Sequence, residues 1–380
     1  ETADKVVVAN AVGMARGLDR IDDCRDVVAL SQHGAPKTKD EREREEALRS
    51  RLIEAKALLD AGKYARGVEV AKAAVLGGGS PAGLAEAYLL LGRLQTRAID
   101  PEAAKGSYFE AASYAEQSGD PALTARAFSR LYAVTGGTQG NSDAAHHWER
   151  LADAAAARVG SDPDVEAELA SNAGDVALRE GRPKDAKKEL ENALRIRESI
   201  LPDGHPDLAM TLNNLGNAYA QLRQYDEALK AYQRSYELHH RYEGPDHPNT
   251  ASSMNNLAVM YRVQGRLSEA LDFLQRALAI REQNLGADHL DVASTRIALA
   301  KLLERMEQPD QALEHFQRAL ATREKALGKD HVLVASVRDD IAELYAERHA
   351  YQEALAEAQA ALAIFEKAHG PQHLNVAAAH

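Results

Sequence analysis

The chain's 380 residues are 45% hydrophobic but only 5% aromatic, and 58 acidic side chains against 46 basic ones leave a formal net charge of −12. With no long basic run to offset that charge, the composition argues against nucleic-acid binding and against direct contact with an anionic membrane. No stretch of 18 apolar residues is present to cross a membrane as a helix. The one cysteine, Cys24, permits neither an internal disulfide nor a cysteine-based zinc site, and reads as a small buried hydrophobe.

The chain opens on Glu1-Thr2-Ala3-Asp4-Lys5, which is no signal peptide and carries no initiator Met, so a piece of something longer is expected. Residues 1–33 read as one or two amphipathic helices that can pack Val6, Val7, Val8, Val12 and Leu18. Residues 34–43 read as a linker carrying Gly34 and Pro36, and the charged run from Asp40 to Glu46 opens the first long helix. Residues 44–161 then hold irregular helix pairs. Tyr64, Gly67, Ala71 and Ala74 mark the earliest; Leu91-Gly92 with Ala104, Tyr108 and Ala111 mark another. A third follows the glycine-rich stretch Gly136-Gly137-Thr138-Gln139-Gly140, with Ala144, Trp148 and Leu151 on its second helix.

From residue 162 to 380 a strict period takes over. His205, His247, His289, His331 and His373 are spaced by 42 residues, each just after a glycine. Pro206 and Pro248 follow two of them, and proline suits the first position of a helix. Leu212, Leu215, Gly216 and Tyr219 line one helical face, and after a break at Arg223-Gln224-Tyr225 so do Ala228, Tyr232 and Ser235. Later units read Ala270, Leu274, Ala277 and Ala312, Phe316, Ala319: small, large, small. Two helices can approach at the small residues while the large one fills the gap. Such a pair buries its apolar face only on its neighbours. Counting pairs from residues 44, 82, 121, 163, 205, 247, 289 and 331 gives eight, with a ninth beginning at His373 and cut short at His380.

The small–large–small spacing and the step Leu215-Gly216 to Tyr219 resemble the tetratricopeptide repeat, whose usual period is 34 residues. The period here is eight longer (42 − 34), roughly two helical turns. Leu212-Asn213-Asn214-Leu215-Gly216 and Gly286-Ala287-Asp288-His289 resemble the longer variety found in kinesin light chains and many bacterial regulators. The stretch Leu18-Asp19-Arg20-Ile21-Asp22-Asp23-Cys24, together with residues 51–64, resembles the lead into the repeat array of large bacterial serine/threonine protein kinases. That resemblance implies a regulatory or sensory arm, in the cytoplasm or outside it behind an upstream membrane helix.

Catalytic chemistry is not legible. Gly77-Gly78-Gly79-Ser80 lacks the lysine of a phosphate loop, no kinase signature occurs, and no nucleophile has a base beside it. The periodic histidines stand one per unit, two packed helices apart, too far to share a metal ion, and read instead as fixing the start of each first helix. No cofactor is expected.

The resemblance puts the first helix of each pair on the concave side of the array. One column there reads Asn172, Asn214, Asn256, Ala298, Asp340, and the preceding one Ser171, Asn213, Asn255, Ile297, Asp339. Asparagine in mid-helix costs propensity, so the run needs a reason. Its side chain both donates and accepts, and can hold an extended peptide main chain of any sequence; the alternative is that these asparagines bond neighbouring helices. Asn217 and Arg262 accompany the asparagine half, and Lys301 and Arg305 open a charged half. The reading is an all-α, right-handed superhelical solenoid of about eight helix pairs that binds a peptide or partner protein and performs no catalysis. Against it stands a scaffold or cargo adaptor that self-associates through an exposed C-terminal repeat end.

Overall fold

The computed structural model describes residues 38–136 and 142–369. The expected helices at 1–33 with Cys24, the glycine-rich loop from Gly137 to Gly140 and the ninth start at His373 lie outside them. Sixteen helices and no strand occur among the described residues. They run in antiparallel pairs: α1 (Lys39–Asp60) with α2 (Tyr64–Leu76), α3 (Pro81–Arg97) with α4 (Pro101–Ser118), α5 (Pro121–Thr135) with α6 (Ser142–Val159), α7 (Pro163–Arg179) with α8 (Pro183–Ile200), and α9 (Pro206–Gln221) with α10 (Tyr225–Tyr242). The series continues as α11 (Pro248–Val263) with α12 (Leu267–Leu285), α13 (Leu290–Arg305) with α14 (Pro309–Leu327), and α15 (Val332–Glu347) with α16 (Tyr351–His369). The helices fall into two compact units, α1 to α10 and α11 to α16.

Each first helix starts where a side chain can satisfy its free N–H groups. Thr38 and Glu41 form a capping box that starts α1 at Lys39, five residues ahead of the expected 44 (44 − 39). Ser80, Asp120 and Asp162 cap α3, α5 and α7 through oxygen. From α9 onward histidine takes over. Imidazole Nδ1 of His205 accepts the N–H of Asp207 at 3.2 Å, and His247, His289 and His331 accept those of Asn249, Asp291 and Leu333 at 3.1 Å. The 42-residue histidine register is therefore a register of helix caps.

The turn within a pair is equally regular. Arg182 N–H reaches Ala177 O at 2.8 Å, and Gln224 N–H reaches Tyr219 O at 2.8 Å, the bond of a Schellman end. The residue before it is left-handed: Gly181 at φ 70°, Gly265 at 77°, but also Arg223 at 56°, Glu307 at 59° and His349 at 61°. A non-glycine there costs about 1–2 kcal/mol, which the surrounding packing offsets.

The core is a chain of similar contacts. Ala186, Leu190 and Ala193 are fully buried, as are Ala312, Phe316 and Ala319. A Cβ on Gly216 would lie 2.5 Å from the Tyr232 ring, so only glycine lets that ring seat. Ala300 faces a different partner, Phe316, within a cluster closed by Val337, Ile341 and Leu344 of the next pair. Neighbouring pairs are also tied by charge. Arg197 on α8 donates to the Asp207 carbonyl and the Ser171 hydroxyl, both at 3.3 Å, and to the Thr211 hydroxyl. Arg281 on α12 repeats the pattern with Asp291 O at 2.9 Å, Thr295 Oγ1 at 2.6 Å and Ser252 Oγ at 2.9 Å.

A histidine cap works only while Nδ1 is unprotonated. Burial, and then the neighbouring Arg323, hold His331 below its ordinary pKa, so the unfolded chain takes up the proton first. The cap contributes fully above the unfolded value of about 6.5 and is lost as pH falls from there through the lower folded value. His331→Ala is expected to cost about 1 kcal/mol at neutral pH by thermal denaturation, shrinking at mildly acidic pH, while His331→Asn keeps the neutral-pH stability. A His331→Ala penalty of equal size at both pH values would contradict the cap.

Candidate partner-binding face

The sequence-derived columns fall on first helices, and the structure gives each residue a different occupation. In the first unit, Asn172 on α7 donates to Ser129 Oγ of α5 at 2.8 Å, so this asparagine bonds one first helix to the next. Asn217 on α9 accepts from Tyr232 OH at 2.7 Å and so braces its own pair. Asn213 and Asn214 are half-buried on the same helix. The Asn214 carboxamide makes no hydrogen bond among the described residues. In the second unit, Asn255 donates to Asn256 Oδ1 at 3.4 Å, while its own Oδ1 is buried without a partner.

The charged positions of the second unit form a group on α13 and α15. Lys301 pairs with Asp340 at 2.7 Å, and Arg305 is exposed with no ion pair among the described residues. Arg262 is half-buried, and burial followed by repulsion from Arg305 lowers its pKa. Around Lys301 stand Glu304, Asp339, Asp340, Glu343 and Glu347. Burial first, then Glu347 and Asp340, push the Glu304 carboxyl up to about 7. Asp339 and Glu343 are raised by burial and by their carboxylate neighbours as well. This face is therefore acidic and electrostatically crowded, with one lysine holding it together.

The irregular half holds residues that the column reading passed over. Subtracting one period from Asn172 (172 − 42) gives Arg130, and from Glu168 (168 − 42) gives Arg126. Both arginines stand on α5, at the places where α7 carries Asn172 and Glu168. Their signal lies in the register, one period upstream of the regular units that begin at 162.

The tetratricopeptide-repeat model matches the chain at residues 165–238, 207–283, 255–325 and 291–367, together more than half of it. A Rap protein complexed with competence and sporulation factor superposes with a TM-score of 0.53 at 15% identity, over 88% of this chain and 99% of that one. Aspartyl phosphate phosphatase F from Bacillus subtilis gives 0.50 at 12% identity, over 87% and 95%. The repeats of a putative kinesin light chain from Podosopora anserina give 0.43 at 23% identity, over 52% and 93%. A secreted RxLR effector protein of Plasmopara halstedii is 28% identical over 74 residues, 20% of this chain and 23% of that protein. The chain thus matches less than a quarter of that curated relative's length.

Because the Glu304 pKa is raised above its unfolded value, ionisation opposes folding, and stability declines as pH rises through about 7. Glu304→Gln is expected to raise the denaturation midpoint at alkaline pH and to leave it unchanged in acid, read by urea titrations across pH. A variant no more stable than the parent at alkaline pH would show that Glu304 is not crowded.

Proposed function

This chain belongs to the tetratricopeptide-repeat family, a protein–protein interaction fold, and on that premise we propose that the first-helix face of each unit holds an extended peptide segment of a partner protein. Asn213 and Asn214 in the first unit, and Asn255 and Asn256 in the second, would bond peptide main chain, with Arg262, Lys301 and Arg305 reading charge. The observation that carries this reading is Asn214. It is half-buried in mid-helix, yet its carboxamide leaves donor and acceptor unused among the described residues. Asn172 and Asn217, engaged within the fold, would act by holding the helices rather than by touching the peptide. No bond is made or broken, and the output is occupancy.

The parent context we propose is the regulatory arm of a bacterial serine/threonine kinase. The resemblance of residues 18–24 and 51–64 to the lead into such arrays supports it. A kinase catalytic domain encoded upstream of Glu1 is the expected finding; a different domain there refutes this context and leaves peptide holding untouched.

Peptides selected on this chain from a random-sequence display library provide the probe for the ladder. Changing Asn214 and Asn256 to Ala together is expected to weaken their binding about tenfold or more, with circular dichroism unchanged. Equal affinity for the variant and the parent would sink the asparagine reading.

A further inference from the structure

The first unit holds a cluster of guanidiniums that outnumbers its carboxylate partners. Arg93 and Arg97 lie on α3, Arg126 and Arg130 on α5, and all four are half-buried. Arg130 pairs with Glu168 of α7 at 2.6 Å, and Arg126 approaches the same carboxylate at 3.8 Å. Glu168 is the sole carboxylate within ion-pair distance of the four among the described residues, with its side chain 16% exposed. Arg126 Nε is buried with no hydrogen-bond partner. Arg93 makes no ion pair among the described residues, and Arg97 touches only the soft Sδ of Met210 on α9, at 3.4 Å. That last contact shows how near α3 and α9 come within the unit: the four first-helix faces border a narrow space.

Electrostatics report the same imbalance. Burial works to neutralise Glu168, yet Arg130, Arg126 and Arg93 together hold its pKa below the usual range. Asp207 on α9 is likewise opposed by burial and held down by Arg197, His205, Arg93 and Arg130. Including Arg197, Asp207 and Asp164, the set is five guanidiniums against three carboxylates. Keeping such a surplus partly out of water is costly unless an anion completes it. Arginine's planar fork matches carboxylate geometry, and Glu168 already occupies one such fork.

We infer that this cleft, bordered by Arg93, Arg97, Arg126 and Arg130, is a docking site for an acidic, Asp/Glu-rich segment of a partner protein. The closeness of Arg97 to Met210 suits a single extended strand rather than a duplex. The chain's formal net charge of −12 repels a long polyanion, so attraction is local and reads a short acidic stretch. The site uses arginines of α3 and α5 and none of the asparagines named above, and its failure would leave the asparagine reading standing.

Calorimetric titration of the whole chain with a Glu-rich peptide, a Lys-rich peptide of equal length and inorganic phosphate tests this. The Glu-rich peptide is expected to bind, to weaken as salt rises, and to lose about tenfold in affinity for each of Arg93→Ala and Arg97→Ala. Neither arginine has a carboxylate partner to strand, so both variants should keep their circular dichroism. Glu168→Gln removes the competing carboxylate and is expected to tighten acidic-peptide binding. Arg195→Ala, at an exposed arginine of the second helix α8, should leave it unchanged. The site is overturned if the Glu-rich peptide binds no better than the Lys-rich one, if Arg93→Ala with Arg97→Ala binds as the parent does, or if Glu168→Gln folds and binds more weakly. Inorganic phosphate displacing the peptide at equal charge overturns the acidic-segment assignment.

Discussion

One guanidinium at the end of a second helix fixes where the next first helix lies. Arg197 reaches the carbonyl ten residues on, at Asp207 (207 − 197), and Arg281 does the same at Asp291 (291 − 281). Arg323 repeats the step to the Leu333 carbonyl at 2.7 Å. Each reaches a carbonyl in the first turn of the following helix, and the Asp207 and Asp291 carbonyls also accept from the Thr211 and Thr295 hydroxyls. The first two also touch a serine on the preceding first helix, so one side chain sets the distance between two successive first helices. Apolar packing alone would tolerate sliding; a fork bonded to three oxygens does not. The side chains displayed on α9, α13 and α15 inherit their spacing from this tie.

The caps and turns serve the same end. A histidine cap determines the residue at which each first helix from α9 onward begins, and the left-handed residue after it ends determines where the chain turns back. Arg223, Glu307 and His349 hold that conformation without being glycine, which shows that packing overrides local preference. The small–large–small ridge supplies the stabilising burial, and Gly216 against Tyr232 shows how closely the helices of one pair meet.

Much of this was legible in the residues alone. A repeat of 42 with constant small positions requires stacked helix pairs, and the first-helix starts from α3 onward fall within one residue of expectation. The start of α1 was misplaced because a capping box at Thr38 is a local signal hidden inside a charged run. The roles of the asparagines were not legible. Asn172 and Asn214 share a column, yet one finds Ser129 within reach and the other finds no partner among the described residues. Periodicity gives the face a side chain occupies; it does not give the atom across from it. The arginines of the irregular half were hidden differently. Arg126 and Arg130 replace other residue types at their columns, so they break the repeat, and a reading that looks for sameness passes over them.

Function then rests on what the stacking leaves unused. Apart from the Arg97–Met210 contact, the ties described lie within or between successive pairs, and they leave the first-helix faces to differ: rich in arginine in the first unit, acidic around Lys301 in the second. Such divergence on a constant frame is how a repeat fold gains partners without changing its core. The account stands on the frame being set by the guanidinium forks, and urea denaturation of an Arg281→Met variant tests that most directly. The account predicts a loss of about 3 kcal/mol, because Asp291, Thr295 and Ser252 lose their shared donor; a midpoint equal to that of the parent would contradict it.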